Sequence, residues 1–218
     1  MNVLITSAGS RLGRLIAEGL GDSHTLRLTD DPGRASDSNV ISCDLGHDEA
    51  TDQLCKGIDT IVHVCEPEGL SESEIVDYHS RKTYNLLTAA SDAGVGHVVF
   101  VSSLRLFDGS EPEYEIDERW APSATTDLES LRHHIGEFVC REFARANRYP
   151  VTCLRFGEVV AGDDPPDDVV TESALTKAVA AAIDKRPPGW SVFHVVSAGT
   201  HFPTGKVEDG LGIQPHGR

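Results

Sequence analysis

Glu129 and His133 are the pair best suited to moving a proton in this 218-residue chain. They lie four residues apart in a stretch that reads as helix, so they share a face, and a carboxylate beside an imidazole tunes it as a proton carrier. The same spacing suits an exposed i,i+4 pair on a helix that also carries Arg132 and His134, and both readings stay open. Ser102 and Ser103 close an apolar, β-rich run, where their hydroxyls can donate to a ligand at a sheet edge. His63 and Cys65 share one side of a strand, and His79 follows on a helix. A metal needs convergent ligands, which these spacings do not supply, so core roles and no metal site are expected.

Such groups need elements to position them. Strands are expected at 2–6, 24–29, 39–42, 59–65, 97–102, 150–155 and 191–196, and helices at 11–20, 47–55, 72–93, 126–147 and 171–184. Alternation of this kind predicts a doubly wound, Rossmann-like α/β fold: a parallel sheet of about seven strands covered on both faces. Ser71 with Glu74 three residues on is a capping box opening the helix at 72–93, which ends at Gly94. The stretches 103–125 (Gly109, Pro112, Pro122) and 156–170 (Gly157, Gly162, Pro165, Pro166) look irregular and follow strands. They are expected to wall a small-molecule pocket at the carboxyl edge of the sheet. The tail 197–218 reads as a short cap or loop.

The first strand runs into Thr6-Ser7-Ala8-Gly9-Ser10-Arg11-Leu12-Gly13 and a helix, a turn whose free N–H groups can hold phosphate. A dinucleotide turn uses three glycines, for the tight bend, for close approach to the diphosphate and for helix-on-sheet packing. Here Gly13 takes the third position, Ser7 and Ser10 take the first two, and Gly9 lies one residue from the second. Asp30, after the second strand, can accept from both ribose hydroxyls and repels a 2′-phosphate, which favours NAD over NADP, or no cofactor if the Ser-rich turn has closed. Asp31 adds to that field, and Arg11 is the counterweight.

With 35 acidic and 19 basic residues the net charge is −16, which excludes nucleic acid and an anionic membrane as partners. The same excess also fits adaptation to high salt. Met1 leads directly into the first strand, no apolar run is long enough to span a bilayer, and a cytoplasmic location is expected. Five scattered cysteines read as reduced, buried thiols. The organisation expected is a core over 1–170, with the last helix, strand and cap at 171–218 in the same globular unit.

Several segments, in order, resemble the extended short-chain dehydrogenase/reductases, the NAD(P)-dependent epimerases and dehydratases. They are the amino-terminal turn, Leu28-Thr29-Asp30, Cys43-Asp44-Leu45, Asp59 to Val64, Thr83 to Leu87, Val99 to Ser103, Phe107-Asp108-Gly109 and Leu154 to Gly162. Val192 to Ser197 and Leu211 to Pro215 resemble later family segments, with the part between them much shortened. The resemblance implies that Ser7, Gly9, Ser10, Arg11, Leu12, Gly13, Asp30, Asp44, Leu45, Val64, Cys65 and Ser102 line a dinucleotide site. Cys65 and Glu66 stand where the family usually has two alanines beside the cofactor. The family's Ser/Thr, Tyr and Lys positions fall on Leu104, Glu129 and His133, so the standard proton-transfer set is missing. A nucleotide binder or sensor is therefore expected. The alternatives are an oxidoreductase or isomerase acting on a sugar-like or carbonyl substrate through Ser103, Glu129 and His133, and a non-binding structural protein. The resemblance also implies a homodimer through helices 72–93 and 126–147.

Overall fold

A computed structural model describes residues 1–34, 38–66, 69–111, 113–123, 125–162, 166–197 and 200–214. Pro112, Pro165 and Pro215, which figure in the sequence reading, lie outside these residues. Seven strands form one parallel sheet: β1 (Asn2–Ile5), β2 (Thr25–Asp30), β3 (Val40–Ser42), β4 (Thr60–His63), β5 (His97–Ser103), β6 (Val151–Phe156) and, at the far edge, β9 (Trp190–Val195). Their order is β3-β2-β1-β4-β5-β6-β9, so the winding reverses between β1 and β4. Ligands bind at such a switch point, outside the carboxyl ends of the strands.

Both faces of the strands are apolar, and the period of two splits them between two cores. Val3, Ile5, Val62, Val99, Val101 and Leu154 face α1 (Arg11–Leu20), α6 (Glu172–Lys185) and α7 (Gly205–Leu211). Leu4, Ile61, Val98, Phe100 and Cys153 face α2 (Glu49–Cys55), α4 (Thr83–Ala93) and α5 (Leu128–Arg145). All five cysteines are free and buried.

Ser71 and Glu74 form the expected capping box, the Ser71 N–H donating to the carboxylate at 2.8 Å. The helix it opens is not continuous. A π turn at Tyr78–Lys82 separates α3 (Glu72–Asp77) from α4, and it turns the adjacent Tyr78 and His79 both inward. The stretch expected to be irregular after β6 holds a parallel two-stranded ribbon, β7 (Glu158–Val160) with β8 (Val169–Thr171). The tail read as loop contains α7, which buries Val207 and Leu211 against β9. Both are too short for their periodicity to show in sequence.

Candidate functional site

The nucleotide turn is built as tightly as Gly13 suggests. A Cβ on Gly13 would lie 2.1 Å from the Ser7 carbonyl oxygen, so only glycine lets α1 pack against β1 at this crossing. Ser7 takes the left-handed conformation that its glycine-like position demands, with φ of 47°. For a non-glycine residue this costs about 1–2 kcal/mol. Offsetting bonds hold it: Ser7 Oγ accepts from the Glu66 N–H at 3.2 Å and lies 3.1 Å from the buried Tyr78 hydroxyl. Ser10 has ordinary extended backbone and acts as the N-cap of α1, its Oγ accepting from Gly13 N–H at 3.0 Å. Gly9 N–H donates to Asp30 Oδ2 at 2.7 Å and Asp31 N–H to Asp30 Oδ1 at 2.8 Å, so the buried carboxylate ties β2 to the turn.

Two charges weighed in the sequence are committed elsewhere. Asp31 is paired with Lys82 at 2.7 Å, which offsets its contribution to the field around Asp30. Arg11 turns away from the turn and donates to the Val159 carbonyl at 3.0 Å and to Glu172 at 2.8 Å, bridging to β7 and α6. Leu45 is buried and Asp44 is exposed at the end of β3.

Beside the turn, at the carboxyl edge of β4, β5 and β6, opens a cavity of about 880 Å³. It collects Arg11, Leu12, Val64, Cys65, Ser102, Ser103, Leu104, Glu129 and His133 from the sequence reading. Ser7, Gly9, Ser10, Gly13, Asp30, Asp44 and Leu45 lie outside its lining. Arg132 and Asp108 also line it, with Arg105 and His201, which the sequence reading passed over. A loop's side chains carry no periodicity from which to find them.

Glu129 and His133 reach this cavity but do not pair. Glu129 accepts from Arg132 at 2.6 Å, an i,i+3 pair on α5. His133 is 8% exposed, and burial, with Arg132 and Arg105 nearby, pushes its pKa down to about 3. It is therefore a neutral imidazole at neutral pH, far too weak a base to hold a proton there. Its Nδ1 has no partner among the described residues.

Ser102 donates its hydroxyl to Glu137 at 2.7 Å, so it has no proton left to offer a ligand. Glu137 in turn holds Arg155 through both oxygens, at 2.8 and 2.7 Å, in a buried ion pair. Arg155 thus ties β6 to α5. Ser103 Oγ accepts from the Arg105 N–H at 3.2 Å and keeps its own proton.

His63 and Cys65 are core groups. The Thr83 hydroxyl donates to the Tyr78 carbonyl, so it accepts from His63 Nε2, and Thr6 then donates to Nδ1. This network fixes one neutral tautomer, in agreement with a pKa lowered by burial to about 3. Cys65 Sγ lies 3.3 Å from His79 Nδ1, yet burial raises the thiol to about 12 and lowers the imidazole, so no thiolate forms. Among the described residues no cluster of His, Cys, Asp and Glu could hold a metal.

The sequence profile of the NAD dependent epimerase/dehydratase family matches residues 4–207. The chain belongs to that family. A uronate dehydrogenase of Pseudomonas putida is 32% identical over 164 residues, 71% of this chain and 60% of that relative's length. Among solved structures, a mutated uronate dehydrogenase superposes with a TM-score of 0.80 at 26% identity, covering 99% of this chain and 82% of that one. A short-chain dehydrogenase/reductase from Agrobacterium tumefaciens with bound NAD gives 0.84 at 15% identity, covering 100% and 93%, a likeness of fold. Epimerase/dehydratase chemistry looks for a Tyr four residues before a Lys on α5. This chain has that spacing elsewhere, at Tyr78 and Lys82 in the π turn, a coincidence absent from the sequence reading. There the phenol is buried, its pKa raised by burial, and Lys82 is engaged with Asp31. Among the described residues no helix is long and apolar enough to cross a membrane.

Proposed function

We propose that this family member binds NAD, in preference to NADP, and a small sugar-acid-like molecule in the adjoining cavity, as a nucleotide binder or sensor rather than by Tyr–Lys catalysis. The observation that carries the reading is the state of α5: Glu129 is tied to Arg132, and His133 is buried and neutral where the family's proton-transfer pair would stand. NAD, when bound, supplies a hydride acceptor. Neither Glu129 nor His133 stands ready to remove the substrate's proton in the same step.

The residues fit the dinucleotide at the adenosine end. Asp30 is held beside the turn by two backbone N–H groups, and each of its oxygens keeps acceptor capacity for a ribose hydroxyl. Arg11, the residue that would favour a 2′-phosphate, faces Glu172 instead. At the diphosphate end the Glu66 side chain has to give way. The small-ligand class is supported by the uronate dehydrogenases among the relatives and by Ser103, Arg105 and Arg132 in the cavity wall.

A homodimer through α4 and α5 belongs to the same reading. Tyr84 and Phe138 are 54% and 53% exposed on those helices, and Phe143 packs against Tyr84 with ring centroids 5.6 Å apart.

The test is NADH fluorescence during incubation with NAD and a panel of uronates. The reading expects ligand-dependent thermal stabilisation and no NADH. Steady NADH production that is abolished by Glu129→Gln or His133→Ala would establish the enzyme alternative.

A further inference from the structure

The position where a dinucleotide's diphosphate would rest already holds a negative charge from the chain itself. The first N–H groups of a helix have no intrahelical partner, and the helix dipole draws anions to them. In α1 two of those donors are engaged. Gly13 N–H donates to Ser10 Oγ, and Leu12 N–H faces Glu66 Oε2 at 3.4 Å. Glu66 is anchored for this by its own N–H on Ser7 Oγ and by the preceding Cys65, whose φ of 54° bends the chain toward the turn at the end of β4. Arg11 does not counter the charge from its place beside the turn, because it is spent on Val159 and Glu172.

We infer that Glu66 is a built-in occupant of the diphosphate position and the residue that sets ligand selectivity at this site. The inference rests on the dinucleotide reading above and adds its consequence. A ligand carrying a diphosphate enters only by displacing the carboxylate, so NAD binds weakly. Adenosine, which has no phosphate, meets Asp30 without disturbing Glu66. Because the obstacle is a charge at short range, it weakens as salt rises.

Titration calorimetry with NAD and with adenosine tests this on the wild type, Glu66→Gln, which keeps the shape and removes the charge, and Glu66→Ala, which removes both. Glu158→Gln, at another carboxylate lining the same cavity, controls for net charge. The expected result is a gain in NAD affinity of about tenfold or more in both Glu66 variants, with adenosine unchanged and Glu158→Gln matching the wild type. Wild-type affinity for NAD should also rise with salt while that of Glu66→Gln does not. Equal NAD affinity in wild type and both Glu66 variants overturns the inference while leaving the dinucleotide reading intact. An equal gain in Glu158→Gln also overturns it, since net charge alone would then be responsible. If no variant binds NAD while the folded protein shows its usual thermal transition, the dinucleotide reading fails and takes this inference with it.

Discussion

Mild acid should unfold this protein, because its interior is stocked with histidines that cannot accept a proton where they are. Burial lowers His63, His133 and His194 to about 3 and His97 to about 4, from 6.5. The unfolded chain therefore binds protons below about pH 6.5 that the folded chain refuses, and stability falls as pH drops through that window. Between pH 7.5 and pH 5 each group contributes a loss of about 2 kcal/mol, and the four together about 8 kcal/mol, against a typical total stability of 5–15 kcal/mol. Urea denaturation at half-unit steps across this range measures it. The free energy should fall steeply below pH 6.5, with the folded state largely lost near pH 5. His97→Gln, at a site hydrogen-bonded to Thr152 and away from the cavity, should lower the slope by about a quarter. A free energy that stays flat between pH 7 and pH 5 would refute the assignment of these imidazoles as buried and neutral.

Glu137→Gln should cost about 3–5 kcal/mol, because it leaves the buried Arg155 charge without its partner; a loss under 1 kcal/mol by urea melt would contradict that. Gly13→Ala drives a Cβ into the Ser7 carbonyl and should destabilise by about 3 kcal/mol while weakening any binding at the turn, read by melting temperature and titration. Phe138→Glu on the exposed face of α5 should convert a dimer to a monomer in sedimentation velocity; an unchanged sedimentation coefficient would remove these helices as the interface.

The sheet was legible because its strands are continuous apolar runs and its long helices carry caps such as Ser71 with Glu74, signals that act over neighbouring residues. The π turn was not. A single extra residue in a helical turn leaves the apolar spacing almost unchanged, yet it decides that both Tyr78 and His79 point inward. The turn could be located from Gly13, but the fate of its charges could not. That Arg11 reaches Glu172, or that Lys82 neutralises Asp31, depends on contacts between residues 161 and 51 positions apart. Spacing placed Glu129 and His133 on one helix and in one cavity, while the partner that each has, Arg132 for one and burial for the other, emerges only from packing.

The most direct measurement is a calorimetric titration of the purified, nucleotide-free protein with NAD and with NADP at two salt concentrations. The reading predicts saturable heat with NAD and weaker binding of NADP. A protein that is shown to be folded, yet gives no heat with millimolar NAD at either salt, would contradict it.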